Sequence, residues 1–509
     1  MSNGWALPDE VLRDAPTYTP RPRELADLEM LLSGAYAPLT GFLGRTDVVS
    51  LARTGRLADG TRWPVPVTLE VPTSLVDTLD TNNPLHRAIV LTDTEGAPIA
   101  AVDVTETWPT ADGLSAVAGP VRRAGDGGHH PFARLRRTPA EIRDLLPPGR
   151  VLGVIADRPL HRPQLAQIAL AAKTLSGALV VLIPVAGPTV DGLAPEALVR
   201  TVLAARDRMP PAAIVAVPLA SHGDEIRDAL LRATVAKAYG VTHLLSTGEM
   251  PISGGGLRVL IPRELAYDSR DGQWRSRDGI PPRYRRAALT TAEVDDLLDH
   301  GVALPEWHTP PAVARELARA RPPRRLRGLV VFLTGLSGSG KSTIARAVAD
   351  TLLESGERTV TLLDGDVVRR ELSKGLTFSK EDRDTNIRRI GWVAAEIARH
   401  GGLVLCCPIA PYHQARQQAR EMAHRAGAGF VLVHVATPLE VCERRDRKGL
   451  YARARAGQLT GMTGVDDPYE EPTDADLVVD TSSMTVDDAA AVVLRHLAEH
   501  GWTDPRHSA

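Results

Sequence analysis

The chain has 509 residues, 43% of them hydrophobic, with 60 Lys+Arg against 62 Asp+Glu. This length exceeds a single core and calls for about three domains. The balanced charge gives no electrostatic reason to expect nucleic acid or an anionic membrane as partner.

Three cysteines, Cys406, Cys407 and Cys442, argue against a disulfide framework and for a reducing compartment. No Cys/His cluster has the spacing of a structural zinc site. The start, "MSNGWALPDEVLRD", lacks the basic and apolar regions of a secretion signal. No apolar run reaches the ~18 residues of a membrane span. A soluble cytoplasmic protein is expected.

Residues 1 to about 145 are rich in Pro, Gly and Thr. Short alternating runs, "WPVPVTLEV" (63–71) and "HRAIVLTD" (86–93), predict a mostly β region with frequent turns. From about 150, apolar strands ("RVLGVIA", "ALVVLIPV", "AAIVAVPLA", "THLLST") alternate with helical stretches ("PQLAQIALAAKTL", "PEALVRTVLAARDRM", "GDEIRDALLRATVAKAYG"). This rhythm predicts a parallel sheet with helices on both faces. The crossover "VIADRPLHRPQL" (154–165) sets His161 where α/β folds place ligands. The stretch "PPAVARELARARPPRRLRG" (310–328) reads as a helix ending in a linker, its arginines a solvated surface. A second βα rhythm starts at "LVVFLTG" (329–335).

"LVVFLTGLSGSGKSTIARAVADTLLESG" is strand, glycine loop, helix, spanning Gly335, Leu336, Ser337, Gly338, Ser339, Gly340, Lys341, Ser342 and Thr343. The glycines let backbone N–H groups turn onto phosphate oxygens, and the helix adds its N-terminal dipole. Lys341 is suited to the β- and γ-phosphates of ATP and the Ser342 hydroxyl to Mg²⁺. Asp364 and Asp366, in "VTLLDGDVVRREL", fall at the end of a neighbouring strand. One carboxylate there can hold Mg²⁺-bound water and the other can orient or deprotonate an attacking hydroxyl. Phe378, Arg383, Asn386, Arg388 and Arg389 then form an aromatic and guanidinium cluster. It suits a nucleotide-like anion or, equally, an amphipathic helix face. Cys406 and Cys407 lie on one apolar strand and point to opposite faces, as core cysteines.

The pieces "GLSGSGKST", "LLDGDVVR", "FSKEDRDTNIRRIG", "PIAPYHQAR", "PLEVCERRDRKGLYARARAG" and "TGVDDPYEEP" make residues 329–500 resemble adenylyl-sulfate (APS) kinase. The resemblance implies transfer of the ATP γ-phosphoryl to the 3′-hydroxyl of adenosine 5′-phosphosulfate, giving PAPS. It implies that Phe378 stacks the adenine. Arg369, Arg383 and Asn386 would hold the phosphosulfate and ribose, with the Ile409 backbone nearby. Asp366 would face the 3′-hydroxyl, and Lys448 would sit in a lid, "DRKGLYARARAG" (446–457), which on its residues alone is also compatible with plain surface. The chain departs from the family at Thr460 and Met462, where Lys and Phe are usual, and at Ala410, where Ser is frequent. Met462 would be the weaker side of the adenine clamp.

Residues 1–310 resemble ATP sulfurylase through "GAYAPLTGFLGRTDVVSLARTGRLADGTRWPVPVTLEV" (34–71), "HPFARLRRTPAEIRDLL" (130–146), "IPVAGPTVDG" (183–192) and "VDDLLDHGVALPEW" (294–307). Against that family's Gln-x-Arg-Asn and His-x-x-His, this chain has Ile155, Asp157, Arg158, His161 and Gln164. The later Gly-Arg-Asp-His stretch reads "STGEMPISGGG" (246–256).

The resulting expectation is an α/β chain in four parts. Residues 1–147 would be a β-rich, PUA-like domain and 148–310 a Rossmann-like nucleotidyltransferase-type domain without activity. Residues 311–328 would be a linker and 329–509 a P-loop kinase domain. The expected function is an Mg²⁺- and ATP-dependent APS kinase. Its catalytic groups would be Lys341, Asp364 and Asp366, with metal held by Ser342 and, partly through water, Asp364. A homo-oligomer is expected, and a separate ATP sulfurylase is a candidate partner. The alternatives are a complete bifunctional PAPS synthetase, a kinase of another hydroxylated nucleotide, and a nucleotide-sensing scaffold.

Overall fold

The computed structural model describes residues 15–79, 87–111, 113–124, 131–187, 189, 191–246, 257–356, 358–377 and 379–504. The chain divides into two compact units. One is formed by residues 1–291 with 304–317, the other by 292–303 with 318–509.

The first unit opens with a mixed, largely antiparallel sheet. The strands run in the order Thr17–Tyr18, Ala88–Thr92, Pro98–Asp103, Leu114–Arg123 and Gly41–Phe42. Leu69–Pro72 and Glu106–Pro109 also pair with the long Leu114–Arg123 strand. The expected strand over 63–71 forms only from Leu69. Pro64 and Pro66 have no N–H to give a ladder, so the run before Leu69 stays irregular. Its apolar side chains, Trp63, Val65 and Val67, are nevertheless buried.

Beyond it lies an all-parallel sheet in the order Ala212–Val217, Ala178–Pro184, Val151–Ile155, His243–Leu245, Arg258–Leu260. The chain builds outward from Val151–Ile155 on one side, then returns to place His243–Leu245 on the other. The loop after Val151–Ile155 therefore leaves the sheet at its switch point.

The second unit has a parallel sheet in the order Val360–Asp364, Leu403–Cys407, Leu329–Thr334, Gly429–Val435, Leu477–Val479. Alternation along the central strand feeds two cores. Leu329, Val331 and Leu333 pack with Ile344, Val348 and Leu497 on one face. Val330 and Phe332 pack with Ile390, Ala394 and Ala419 on the other. Cys407 belongs to the first core and Cys406 to the second.

Of the arginines of 310–328, Arg315, Arg319 and Arg325 are exposed as expected, but the other three are not a plain solvated run. After the Pro311–Ala320 helix, Arg321, Arg324 and Arg327 converge on Asp299 at 2.7, 3.1 and 2.5 Å. The Asp299 side chain is only 5% exposed. A buried carboxylate needs such partners, and repeated guanidiniums supply them.

Candidate functional site

The central strand of the second unit ends at Thr334, and the loop that follows turns back on glycines. Gly335, Gly338 and Gly340 have φ of +149°, +77° and +102°. A Cβ on Gly335 would stand 2.5 Å from the Val435 carbonyl oxygen, so the approach itself requires glycine. The helix Lys341–Ser355 begins immediately after Gly340, aiming its first N–H groups at the loop.

Lys341 is buried. Its Nζ donates to the carbonyls of Gly335 (3.0 Å) and Leu336 (2.7 Å) across the loop. Burial pushes the ammonium down to about 8. The Ser342 hydroxyl donates to Cys407 Sγ at 3.7 Å, and Cys407 Sγ in turn lies 3.9 Å from Asp364 Oδ2. Asp364 also caps the short helix Gly365–Glu371 by accepting from the Asp366 N–H at 3.0 Å. Burial works against its charge, but the Asp366 N–H and the Ser342 hydroxyl hold the carboxyl below its ordinary range. A hydroxyl and a carboxylate held together at the head of the loop are the hard oxygen donors that suit Mg²⁺.

Asp366 is ion-paired with Lys448. Arg383 is buried and its guanidinium is spent on the 461–467 loop. It donates to Thr463 Oγ1 at 2.6 Å, to Asp467 Oδ2 at 2.8 Å and to the Gly461 carbonyl. Asn386, one helical turn on, is buried, and its Oδ1 has no hydrogen-bond partner among the described residues. Arg369 reaches the Thr377 carbonyl at 3.3 Å. The Ile409 carbonyl accepts from Thr334 Oγ1 at 2.5 Å, and Ala410 holds φ +46°. Phe378 lies outside the described residues. A cavity of about 550 Å³ opens beside the loop, lined by Leu336, Gly464, Asp466, Asp467, Tyr469 and Glu471.

Met462 is buried in a small separate apolar cluster with Cys442 and Tyr451. Leu336 of the glycine loop, Leu450 and Ala454 of the basic segment, and Val465 of the 461–467 loop pack on it. Tyr451 also donates to the Ser337 carbonyl at 2.9 Å. Sequence reading missed this cluster. Its only trace in sequence is that Leu450, Tyr451 and Ala454 share one face of the short helix Leu450–Arg455.

In the first unit, His161 stands at the head of the helix Arg162–Leu175. Its Nδ1 and that of His308 each lie 3.0 Å from Thr309 Oγ1. Burial, with a smaller contribution from His308, pushes the His161 imidazole down to about 3. Asp157, which stands where the sulfurylase family has Arg, is flanked by two guanidiniums. Arg158 lies 3.6 Å and Arg232 3.5 Å from its oxygens. Arg232 comes from the helix Glu225–Ala238, which no local spacing connects to this loop. Two guanidiniums therefore face the loop, and the charge reversal at 157 is offset in space. Of the second stretch, Ser246 is described and 247–256 lie outside the described residues.

Three family models match consecutive parts of the chain. They are a PUA-like domain over residues 9–131, ATP-sulfurylase over 133–254 and adenylylsulphate kinase over 327–480. A sulfate adenylyltransferase of Aspergillus fumigatus is 34% identical over 568 residues, covering 99% of each chain. That of Emericella nidulans is 33% identical and covers 98% of each. Among solved structures, one described as a hexameric APS kinase from Thiobacillus denitrificans is 34% identical. It covers 96% of this chain and 94% of its own, with a TM-score of 0.74. The curated relatives correct the expectation that the chain is an APS kinase beside an inactive N-terminal region: they match from end to end and are named for sulfate adenylyl transfer. The two-activity alternative fits them better. Among the described residues, no helix is long and apolar enough to cross a membrane.

Proposed function

Because the chain belongs to the sulfate adenylyltransferase family, in the arrangement PUA-like domain, ATP-sulfurylase domain, adenylylsulfate kinase domain, we propose that it is a two-site enzyme of sulfate activation. The observation that carries this reading is the end-to-end match to relatives named for the first activity. At the first site a sulfate oxygen attacks the α-phosphorus of ATP. The bond to the β-phosphate bridge breaks, and pyrophosphate leaves with that electron pair. Arg158 and Arg232 are the cations available to the anionic substrates, and Asp157 holds them at the switch-point loop.

At the second site the adenylyl sulfate so formed accepts the γ-phosphoryl of another ATP on its 3′-hydroxyl. Gly335 through Thr343 cradle the phosphates, and Lys341 leaves its loop carbonyls to neutralise the β- and γ-oxygens. Ser342 and, through water, Asp364 would hold Mg²⁺, which supplies further charge neutralisation on the transferred group. Asp366 takes the proton of the 3′-hydroxyl, and Lys448 covers the site from the basic segment. Arg369, Asn386 and the Ile409 backbone grip the acceptor, with Arg383 fixing the 461–467 loop beside them, Phe378 on its adenine and Met462 behind. A homo-oligomer working in the cytoplasm belongs to this reading, supported by the hexameric description of the full-length relative. A separate sulfurylase is not required by it.

The test is two assays on one preparation. Sulfate-dependent pyrophosphate release from ATP and phosphorylation of added adenylyl sulfate are both expected. Lys341→Ala should lose the second and keep the first. Absence of sulfate-dependent pyrophosphate release, with adenylyl sulfate still phosphorylated, would overturn the sulfurylase half.

A further inference from the structure

The underside of the glycine loop is held by three side chains that the proposed chemistry does not use. Thr437 follows the strand Gly429–Val435, Arg445 ends the helix Leu439–Arg445, and Thr481 follows the strand Leu477–Val479. Thr437 Oγ1 lies 3.1 Å and Thr481 Oγ1 2.9 Å from the Ser339 carbonyl oxygen, and the two hydroxyls are 2.8 Å apart. Arg445 Nη1 donates to Thr481 Oγ1 at 2.8 Å and reaches the Gly338 carbonyl at 3.4 Å, while Nη2 donates to the Thr481 carbonyl at 2.8 Å. Both threonines are buried.

A hydroxyl has one proton to give. With both threonines and the Ser339 carbonyl mutually in range, one proton goes to the carbonyl and the other closes the contact between the threonines. Arg445 donates to Thr481 Oγ1, which leaves the Thr481 proton for the Ser339 carbonyl or for Thr437. The carbonyl is therefore fixed toward Thr437 and Thr481. In a trans peptide the N–H of the next residue points the opposite way. The same restraint thus fixes the Gly340 N–H on the face of the loop away from the threonines, immediately before the helix that starts at Lys341. Gly340 has φ +102° and no side chain of its own to restrain that peptide.

We infer that Thr437, Thr481 and Arg445 are positioning residues for phosphate binding, presetting the Ser339–Gly340 peptide so that its N–H is aimed before a nucleotide arrives. Binding then has no peptide rotation to impose, which is where preorganisation gains affinity. The inference rests on the P-loop reading above, and its test separates the two. ATP affinity at the glycine loop is measured by calorimetry with Mg²⁺ present, without any acceptor, as the binding that Lys341→Ala lacks, for wild type, Thr481→Val, Thr481→Ser and the Thr437→Val/Thr481→Val pair. Thermal midpoints are measured in parallel.

Valine keeps the shape of threonine and removes the hydroxyl. Thr481→Val is expected to weaken ATP about fivefold, the effect of one net hydrogen bond, and the double variant at least about twentyfold. Thr481→Ser should stay within about twofold of wild type, and all variants should still unfold cooperatively. Wild-type affinity in the double variant would overturn the inference. So would a Thr481→Ser variant as weak as Thr481→Val, since shape and not the hydroxyl would then be responsible. A wild-type chain whose ATP binding matches that of Lys341→Ala would overturn the P-loop reading itself, and this inference with it.

Discussion

Lys448 is ion-paired with Asp366 across 82 residues of sequence. Both side chains are more than half exposed, so the contact contributes little to stability. Its weight is in location, because it joins the basic segment to the carboxylate proposed to take the acceptor's proton. Asp366→Asn keeps the shape and removes the base. Turnover of adenylyl sulfate should fall at least ~100-fold, with ATP affinity within about threefold. Steady-state kinetics with calorimetric ATP binding would check this. Unchanged turnover with a raised KM would assign Asp366 to binding.

Lys341 carries a trade between stability and chemistry. Burial lowers its pKa from 10.5 to about 8. Between those values the unfolded chain holds the proton more tightly than the folded one, so this group's penalty on folding is largest below pH 8 and fades as pH rises toward 10.5. Lys341→Met should abolish phosphoryl transfer and raise the thermal midpoint at pH 7. The gain over wild type should shrink between pH 8 and 10. A lower midpoint in the variant at pH 7 would show that the carbonyl contacts outweigh desolvation.

His161 predicts a second pH signature. Its folded pKa, about 3, lies below the ordinary 6.5. The depressed value means that its contribution is complete above pH 6.5 and is lost as pH falls toward 3. His161→Gln should flatten the loss of thermal stability between pH 6.5 and 4 relative to wild type. Parallel curves for the two proteins would refute this origin.

Asp299 gathers Arg321, Arg324 and Arg327. Burial opposes its charge, but the hydrogen bonds from Arg321 and Arg327 hold the carboxyl well below its ordinary 3.8. Asp299→Asn should cost about 2–3 kcal/mol at pH 7, less than a fully buried pair because Arg321 and Arg324 still touch water. A depressed carboxylate stabilises above its unfolded pKa, so the difference from wild type should narrow as pH drops below about 4. Denaturant titration at pH 7 and pH 3 measures both values.

The glycine loop was legible in sequence because its chemistry fixes spacing: Gly335, Gly340, Lys341 and Ser342 must be near neighbours for one strand, one turn and one helix to cradle a phosphate. Both parallel sheets were legible for a similar reason, since buried strands read as unbroken apolar runs. What was not legible comes from afar. Thr437 and Thr481 reach Ser339 from 98 and 142 residues away. Arg232 reaches Asp157 from a helix whose own pattern gives no hint of that loop. The run through Pro64 and Pro66 looked like a strand because its apolar alternation survives even where prolines break the ladder. Arginines at 321–327 looked solvated because nothing nearby in sequence announces Asp299.

The apolar cluster shared by Leu336, Cys442, Tyr451 and Met462 has a consequence for local unfolding. It is separate from the two cores that flank the sheet. Its members come from both the glycine loop and the basic segment, so neither can expose its apolar side chains alone. The two stretches should behave as one cooperative unit in amide hydrogen exchange, opening together at a free energy below that of global unfolding. A nucleotide that touches only the loop would then slow exchange across residues 450–465 as well. Protection would travel through packing, with no need for contact between the nucleotide and that segment.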